Sequence, residues 1–190
     1  MYELILSNFA MHISLTASET EFVKSILAHQ VIKKNTVVLK SGDVCRNFYF
    51  VTKGCLRMYH TDEKGKDHIV TFSPENWWAV ELSSFYSRGP AVYSIDALED
   101  TEVFYFTPQH LETLYEQVPK FERFFRIFLQ NAVVLYQRRM TAVLSLQAED
   151  RYMRFRKLYP GLEQRIAQKH IASYLGITPV FLSMLRKRLY

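Results

Sequence analysis

Hydrophobic and polar positions follow three rhythms along the chain. Residues 16–29 open with Thr16-Ala17-Ser18-Glu19, a polar start able to cap a helix, and place Phe22, Val23, Ile26 and Leu27 on one face. From 31 to 107 the repeat shortens to two. Val37-Val38-Leu39 runs into Ser41-Gly42-Asp43, and Phe48–Val51 runs into Thr52-Lys53-Gly54. Leu56 and Met58 alternate with Arg57 and Tyr59. The chain then turns through Thr61–Gly65 and returns through His68–Phe72, which reads as a half-buried strand with its hairpin partner. Tyr93–Ala97 and Glu102–Phe106 form another pair around Leu98-Glu99-Asp100. Strands at a spacing of about 8–12 residues, with turn glycines between them, predict an antiparallel sandwich or roll.

After Pro119, a favourable first helical residue, the repeat lengthens to that of a helix. Phe121, Phe124, Phe125, Phe128, Ala132, Leu135, Tyr136, Met140 and Val143 recur at steps of three and four, with no Gly or Pro through residue 146. Such a helix is roughly 40 Å long. Its seam either lies on the roll or pairs with the same helix of a second subunit. The stripe is wider than one seam, which favours a homodimer.

The remaining segment is helical in pattern throughout. Asp150–Leu158 is one amphipathic piece, ended by Tyr159-Pro160-Gly161, and Leu162–Ile166 follows. Gln168–Leu175 and Pro179–Leu189 flank Gly176, with Ile171, Ala172 and Leu175 facing Ile177, Leu182 and Leu185. That is the spacing of a helix-turn-helix.

Charge sharpens this division. The net charge of +5 over 190 residues hides two opposed parts. Residues 1–119 carry ten Lys/Arg against fifteen Asp/Glu, residues 120–146 five against one, and residues 147–190 nine against three. A basic tail behind an acidic front suits a polyanionic partner. The apolar runs fall short of the roughly 18 residues a membrane helix needs, so no membrane role is predicted. The start Met1-Tyr2-Glu3 has no basic region of a secretory signal. Two cysteines, Cys45 and Cys55, build neither a disulfide framework nor a metal knuckle. A cytoplasmic location follows as the expectation. His60 and His68 on facing hairpin strands are a weak metal pair without a His-x-His cluster, and no nucleophile elbow or phosphate loop occurs. The chain therefore predicts no metal, no cofactor and no enzyme.

These residues together resemble the bacterial cyclic-AMP receptor/fumarate–nitrate regulator (Crp/Fnr) family of transcription factors. The carrying motifs are Ser41-Gly42-Asp43, Tyr49–Arg57, Asp62–Gly65, Ala97–Glu102 and, most specifically, the run from Gln168 to Pro179. The resemblance implies an α+β chain in three parts. Residues 1–118 would be a cyclic nucleotide-binding-like β-roll (a double-stranded β-helix), 119–147 a dimerisation helix, and 148–190 a helix-turn-helix without a wing after its second helix. It also implies a homodimer on double-stranded DNA, an unidentified small-molecule effector and RNA polymerase as a partner.

The chain departs from the family at both recognition sites. Nucleotide-binding members place Gly-Glu-Leu on the ribose and an Arg-Ser/Thr pair on the cyclic phosphate, since a buried phosphate needs a guanidinium and hydrogen-bond donors. Here Val80-Glu81-Leu82-Ser83 keeps the carboxylate, but the arginine falls on Ala91 and its hydroxyl neighbour on Val92, with Arg88 three residues earlier and Tyr93 just after. These eight residues are the candidate pocket, with Trp77, Trp78 and Phe85 as aromatic lining. It would be empty or hold something other than a cyclic nucleotide. Two cysteines cannot hold the four-thiolate iron–sulfur cluster of the sister branch. The DNA-binding candidates are Gln168, Lys169, Ser173, Thr178, Pro179, Val180, Ser183, Met184, Arg186, Lys187 and Arg188. Val180 and Met184 stand where charged base readers are expected, while the phosphate-clamping set is more complete. A ligand-sensing or dimerisation module with degenerate DNA readout is the alternative.

Overall fold

The computed structural model describes residues 1–189; Tyr190 lies outside the described residues. The chain divides into two compact units. The first contains Met1–Met58 and Phe72–Asn131. The second contains Tyr59–Thr71 together with the chain from Ala132 on. The division thus falls within the long helix and across a hairpin, rather than at the ends of the helix.

In the first unit, helix α1 (Glu3–Ala10) precedes α2 (Ala17–Ile26). The Thr16 hydroxyl accepts from the Glu19 N–H at 3.2 Å while the Glu19 carboxylate accepts from the Thr16 N–H at 2.7 Å. This reciprocal box satisfies two donors that a helix start leaves open. The helix ends sooner than the apolar spacing suggests, because Leu27 is already extended and Ala28–Ile32 forms β1. The further strands are β2 (Val37–Leu39), β3 (Phe48–Lys53), β4 (Leu56–Thr61), β5 (Asp67–Ser73), β6 (Trp78–Ala79), β7 (Ser94–Ala97) and β8 (Thr101–Phe106). They form two four-stranded sheets, ordered β1-β8-β3-β6 and β2-β7-β4-β5. This is the expected antiparallel roll.

Helices α3 (Leu82–Ser87), α4 (Pro108–Gln117) and α5 (Lys120–Ser145) complete the set around the sheets. An aromatic layer joins the first part of α5 to the first sheet. Trp78 lies 4.8–6.3 Å, ring centre to ring centre, from Phe48, Phe50, Phe106, Phe124, Phe125 and Phe128. Phe9 of α1 meets Phe121 and Phe124 edge-on. Each fully buried ring contributes about 1.5–3 kcal/mol. Phe121, Phe124 and Phe125, placed on the dimer stripe by their spacing, are wholly buried in this layer and so are closed to a partner. Trp78 and Phe85, read from the sequence as aromatic lining of the candidate pocket, both pack edge-on against Phe48. Gly54 marks the tightest turn. At φ +87°, a Cβ there would lie 2.6 Å from the Asp100 carbonyl oxygen, so only glycine fits.

The second unit contains the tip of the β4–β5 hairpin, the rest of α5, α6 (Ala148–Leu158), a 3-10 turn (Leu162–Gln164), α7 (Gln168–Leu175) and α8 (Pro179–Leu189). Tyr152, Phe155, Tyr159, Leu162 and Ile171 are buried, and the Phe155, Tyr159 and Tyr174 rings meet at 5.5–5.7 Å. No helix is long and apolar enough to cross a membrane among the described residues.

Candidate functional sites

The candidate effector loop is bound into the fold by its own polar groups. Glu81 is buried, and its carboxylate accepts from the Ser84 N–H at 2.6 Å, capping α3. Ser84 is also buried. Its hydroxyl accepts from the Cys45 N–H at 2.8 Å and donates to the Gly89 carbonyl at 2.6 Å. The carboxylate that resembles the ribose contact of the family is therefore engaged in a helix cap. Ala91 is buried with its backbone paired to the loop before β3: its N–H donates to the Asp43 carbonyl and its carbonyl accepts from the Gly42 N–H, both at 2.8 Å. Its methyl group offers no donor to a phosphate. Val92 is exposed, and Ser83 and Arg88 face outward; the Arg88 guanidinium lies 5.5 Å from the centre of the Phe85 ring. Val80 is buried, and Leu82 and Tyr93 are half-buried.

Arg57 and Asp96 escape sequence reading. The guanidinium grips the carboxylate at both oxygens, Nε to Oδ1 at 2.7 Å and Nη2 to Oδ2 at 2.8 Å, and both side chains are about 10% exposed. The signal was available: Arg57 falls within a strand whose neighbours are apolar, and a buried guanidinium requires a carboxylate. Burial without a stabilising cation keeps the Cys45 thiol above its usual pKa, so it stays protonated at neutral pH. His68 Nε2 lies 2.7 Å from the Asp62 carboxylate, and that contact, with the Lys66 and Lys64 N–H groups, holds the Asp62 carboxyl below its ordinary range.

Helices α7 and α8 pack through Ile171, Ala172, Leu175, Leu182 and Leu185, all buried. Gly176 turns between them at φ +68°, and the Ile177 N–H closes on the Ala172 carbonyl at 3.0 Å. Thr178 caps α8: its hydroxyl accepts from the Phe181 N–H at 3.1 Å, and the residue is exposed. Val180, Phe181 and Met184 are exposed on α8, and Pro179 and Lys187 share that exposure; Ser183 and Arg186 are half-buried. Gln168 and Lys169 are exposed at the start of α7. Arg188 pairs with Glu149.

Ser173 points elsewhere. Its hydroxyl donates to the Asp67 carbonyl at 2.6 Å and accepts from the Ile69 N–H at 3.1 Å, both on the edge of β5. Arg139 of α5 joins the same contact, donating to the Ile69 and Tyr174 carbonyls at 2.7 and 3.1 Å while stacking 3.6 Å over the Tyr174 ring. An unpaired strand edge is thereby covered within the second unit. A residue expected on phosphate is instead spent on the hairpin. Nothing local in the sequence marks a bond across 104 residues.

Comparison with known proteins places this architecture. Residues 29–118 match the cyclic nucleotide-binding domain family. No curated protein sequence matches the chain. Among solved structures, FixK2 from Bradyrhizobium japonicum superposes with a TM-score of 0.75 at 16% identity, over 86% of this chain and 84% of that one. The c-di-GMP-responsive global regulator CLP of Xanthomonas campestris gives 0.72 at 15%, over 92% and 91%. A transcriptional regulator of the Crp/Fnr family from Eubacterium rectale gives 0.68 at 15%, over 92% and 83%. Residues 29–118 are thus similar to the cyclic nucleotide-binding domain family, and the chain has the fold seen in solved Crp/Fnr transcription regulators.

Proposed function

We propose that the protein is a homodimeric, cytoplasmic transcription regulator, not an enzyme, that binds double-stranded DNA through α7 and α8. The supporting observation is the pairing of a well-packed two-helix unit with an open outer face on α8 and exposed Lys169 and Lys187 beside it. The N-terminal turn of α8 enters the major groove, and Gln168, Lys169, the Thr178 hydroxyl and Lys187 meet phosphates. Val133, Met140, Val143 and Leu144 are exposed on α5 and supply the seam for a second copy. The parts are an effector roll over 1–118, a dimer helix over 119–147 and a reader over 148–190, with RNA polymerase as the downstream partner. The effector is not a cyclic nucleotide held in the usual way, because Ala91 stands in the arginine position and Glu81 is already bonded.

Mobility shifts over a salt series test this. DNA affinity falls steeply as salt rises, and Lys169→Ala and Lys187→Ala each reduce the log–log slope by about 1. Binding without salt dependence overturns the reading. Exposed Val180, Phe181 and Met184 favour a second reading, a sensing or dimerisation module whose base readout has degenerated. Selection from a random oligonucleotide pool separates the two, since recovery of a consensus half-site eliminates the second.

A further inference from the structure

Within the second unit, α5, α6 and the end of α7 enclose a cleft of about 630 Å³. That is the size of a small-molecule site. Leu135, Ala142, Phe155 and Leu158 give it an apolar floor, while Arg138, Arg139, Arg151, Arg154 and Lys157 supply five cations; no carboxylate lines it. Two of the five hold the walls. Arg139 is bonded to the Ile69 and Tyr174 carbonyls, and Arg151 donates to the Leu146 carbonyl at 2.7 Å and the Leu175 carbonyl at 3.0 Å. The other three are exposed, and among the described residues none has a carboxylate partner.

Val143 borders both the cleft and the proposed seam, and Leu135, on the dimer stripe by its spacing, lines the cleft; the cleft's other α5 residues lie away from the seam. Counting around α5, Leu135 and Ala142 stand roughly half a turn from Val133, Met140 and Leu144. A second copy seated on the latter face leaves the cleft open. A concave apolar floor also gains nothing from DNA phosphates, which bring no apolar surface to cover it. The matching occupant carries one negative head and an apolar body.

We propose that this cleft binds a small amphiphilic anion, a carboxylate or phosphate on an apolar body, with Arg138 and Arg154 gripping the head and Leu135, Ala142, Phe155 and Leu158 covering the rest. Titration calorimetry of the full chain with octanoate, octyl phosphate and octanol tests it. At least one of the two anions saturates at one per chain, and octanol binds at least tenfold more weakly; whichever anion is tighter identifies the head group. The Arg138→Ala/Arg154→Ala variant binds that anion at least tenfold more weakly with an unchanged melting temperature. Ala142→Trp, which fills the floor, abolishes binding with an unchanged sedimentation coefficient. The proposal is overturned if neither anion saturates, if octanol matches them, or if inorganic phosphate competes as well as octyl phosphate. Wild-type affinity in the double arginine variant overturns it too. So does dissociation of the assembly by Ala142→Trp, which would place the cleft between copies.

Discussion

The two units treat polar side chains in opposite ways. In the roll, several polar groups are turned inward and bonded: Glu81 caps α3, Ser84 links two loops, and Arg57 grips Asp96 out of solvent. In the basic unit, Lys169, Lys187, Arg138 and Arg154 are left facing outward. Inward polar groups specify a rigid frame, since each would cost stability if its partner were lost. Outward cations contribute little to folding and remain available to a polyanion. A mutation in the first region should therefore appear in stability, and one in the second in binding.

The largest expected effect tests the frame. Arg57→Ala leaves the Asp96 carboxylate buried without its cation and should lower unfolding stability by about 3–5 kcal/mol, measured by urea denaturation. Arg57→Met combined with Asp96→Leu should recover most of that loss, because the buried charge goes with its partner. The control lies in the other unit. Arg188→Ala removes an ion pair whose arginine side chain is 71% exposed, and should change stability by no more than about 1 kcal/mol. Equal losses at Arg57 and Arg188 would erase the contrast between the units.

A smaller effect tests the outward face. Val180 is 71% exposed at the start of α8. Arginine there can reach the N7 and O6 acceptors of guanine, a contact worth about 1–3 kcal/mol of discrimination. Oligonucleotides selected with Val180→Arg should gain a guanine at one position of each half-site, with the melting temperature unchanged. If no guanine appears, this face of α8 is not the one that meets bases.

What could be read in the sequence follows from the range of each interaction. Strands β3, β4, β5 and β8 and helices α5 to α8 announce themselves through local periodicity, and Gly176 through the turn it must make. Strand β1 does not, because Ile26 and Leu27 extend the helical spacing into residues whose pairing is decided by β8, with Ala28 opposite Tyr105. Helix α4 carries a local signal in the Thr107 cap, whose hydroxyl accepts from the His110 N–H, followed by Pro108. Leu111, Leu114, Tyr115 and Val118 follow at steps of three and four, so this helix too was legible locally. For the candidate sites, identity was legible and engagement was not. The missing arginine at Ala91 is plain in the sequence, whereas the diversion of Ser173 to the β5 edge and the Arg57–Asp96 pair depend on long-range contacts.

The smallest effect belongs to the hairpin tip, where a half-buried carboxylate sits in the second unit yet is bonded in the manner of the first. The His68 side chain and the N–H groups of Lys66 and Lys64 favour the charged form of Asp62 and depress its pKa below 3.8. Its contribution to stability is therefore complete above the unfolded pKa of about 4 and is lost as pH falls through the lower folded value. The stability difference between the wild-type chain and Asp62→Asn should shrink as pH falls below about 4. A carbon NMR titration of the Asp62 carboxyl should show a midpoint below 3.8 that rises in His68→Leu, since that substitution removes the largest of the three contacts. An unmoved midpoint would assign the shift to the two backbone donors alone. It would then be the turn geometry, rather than the histidine, that makes this half-buried residue behave like those inside the roll.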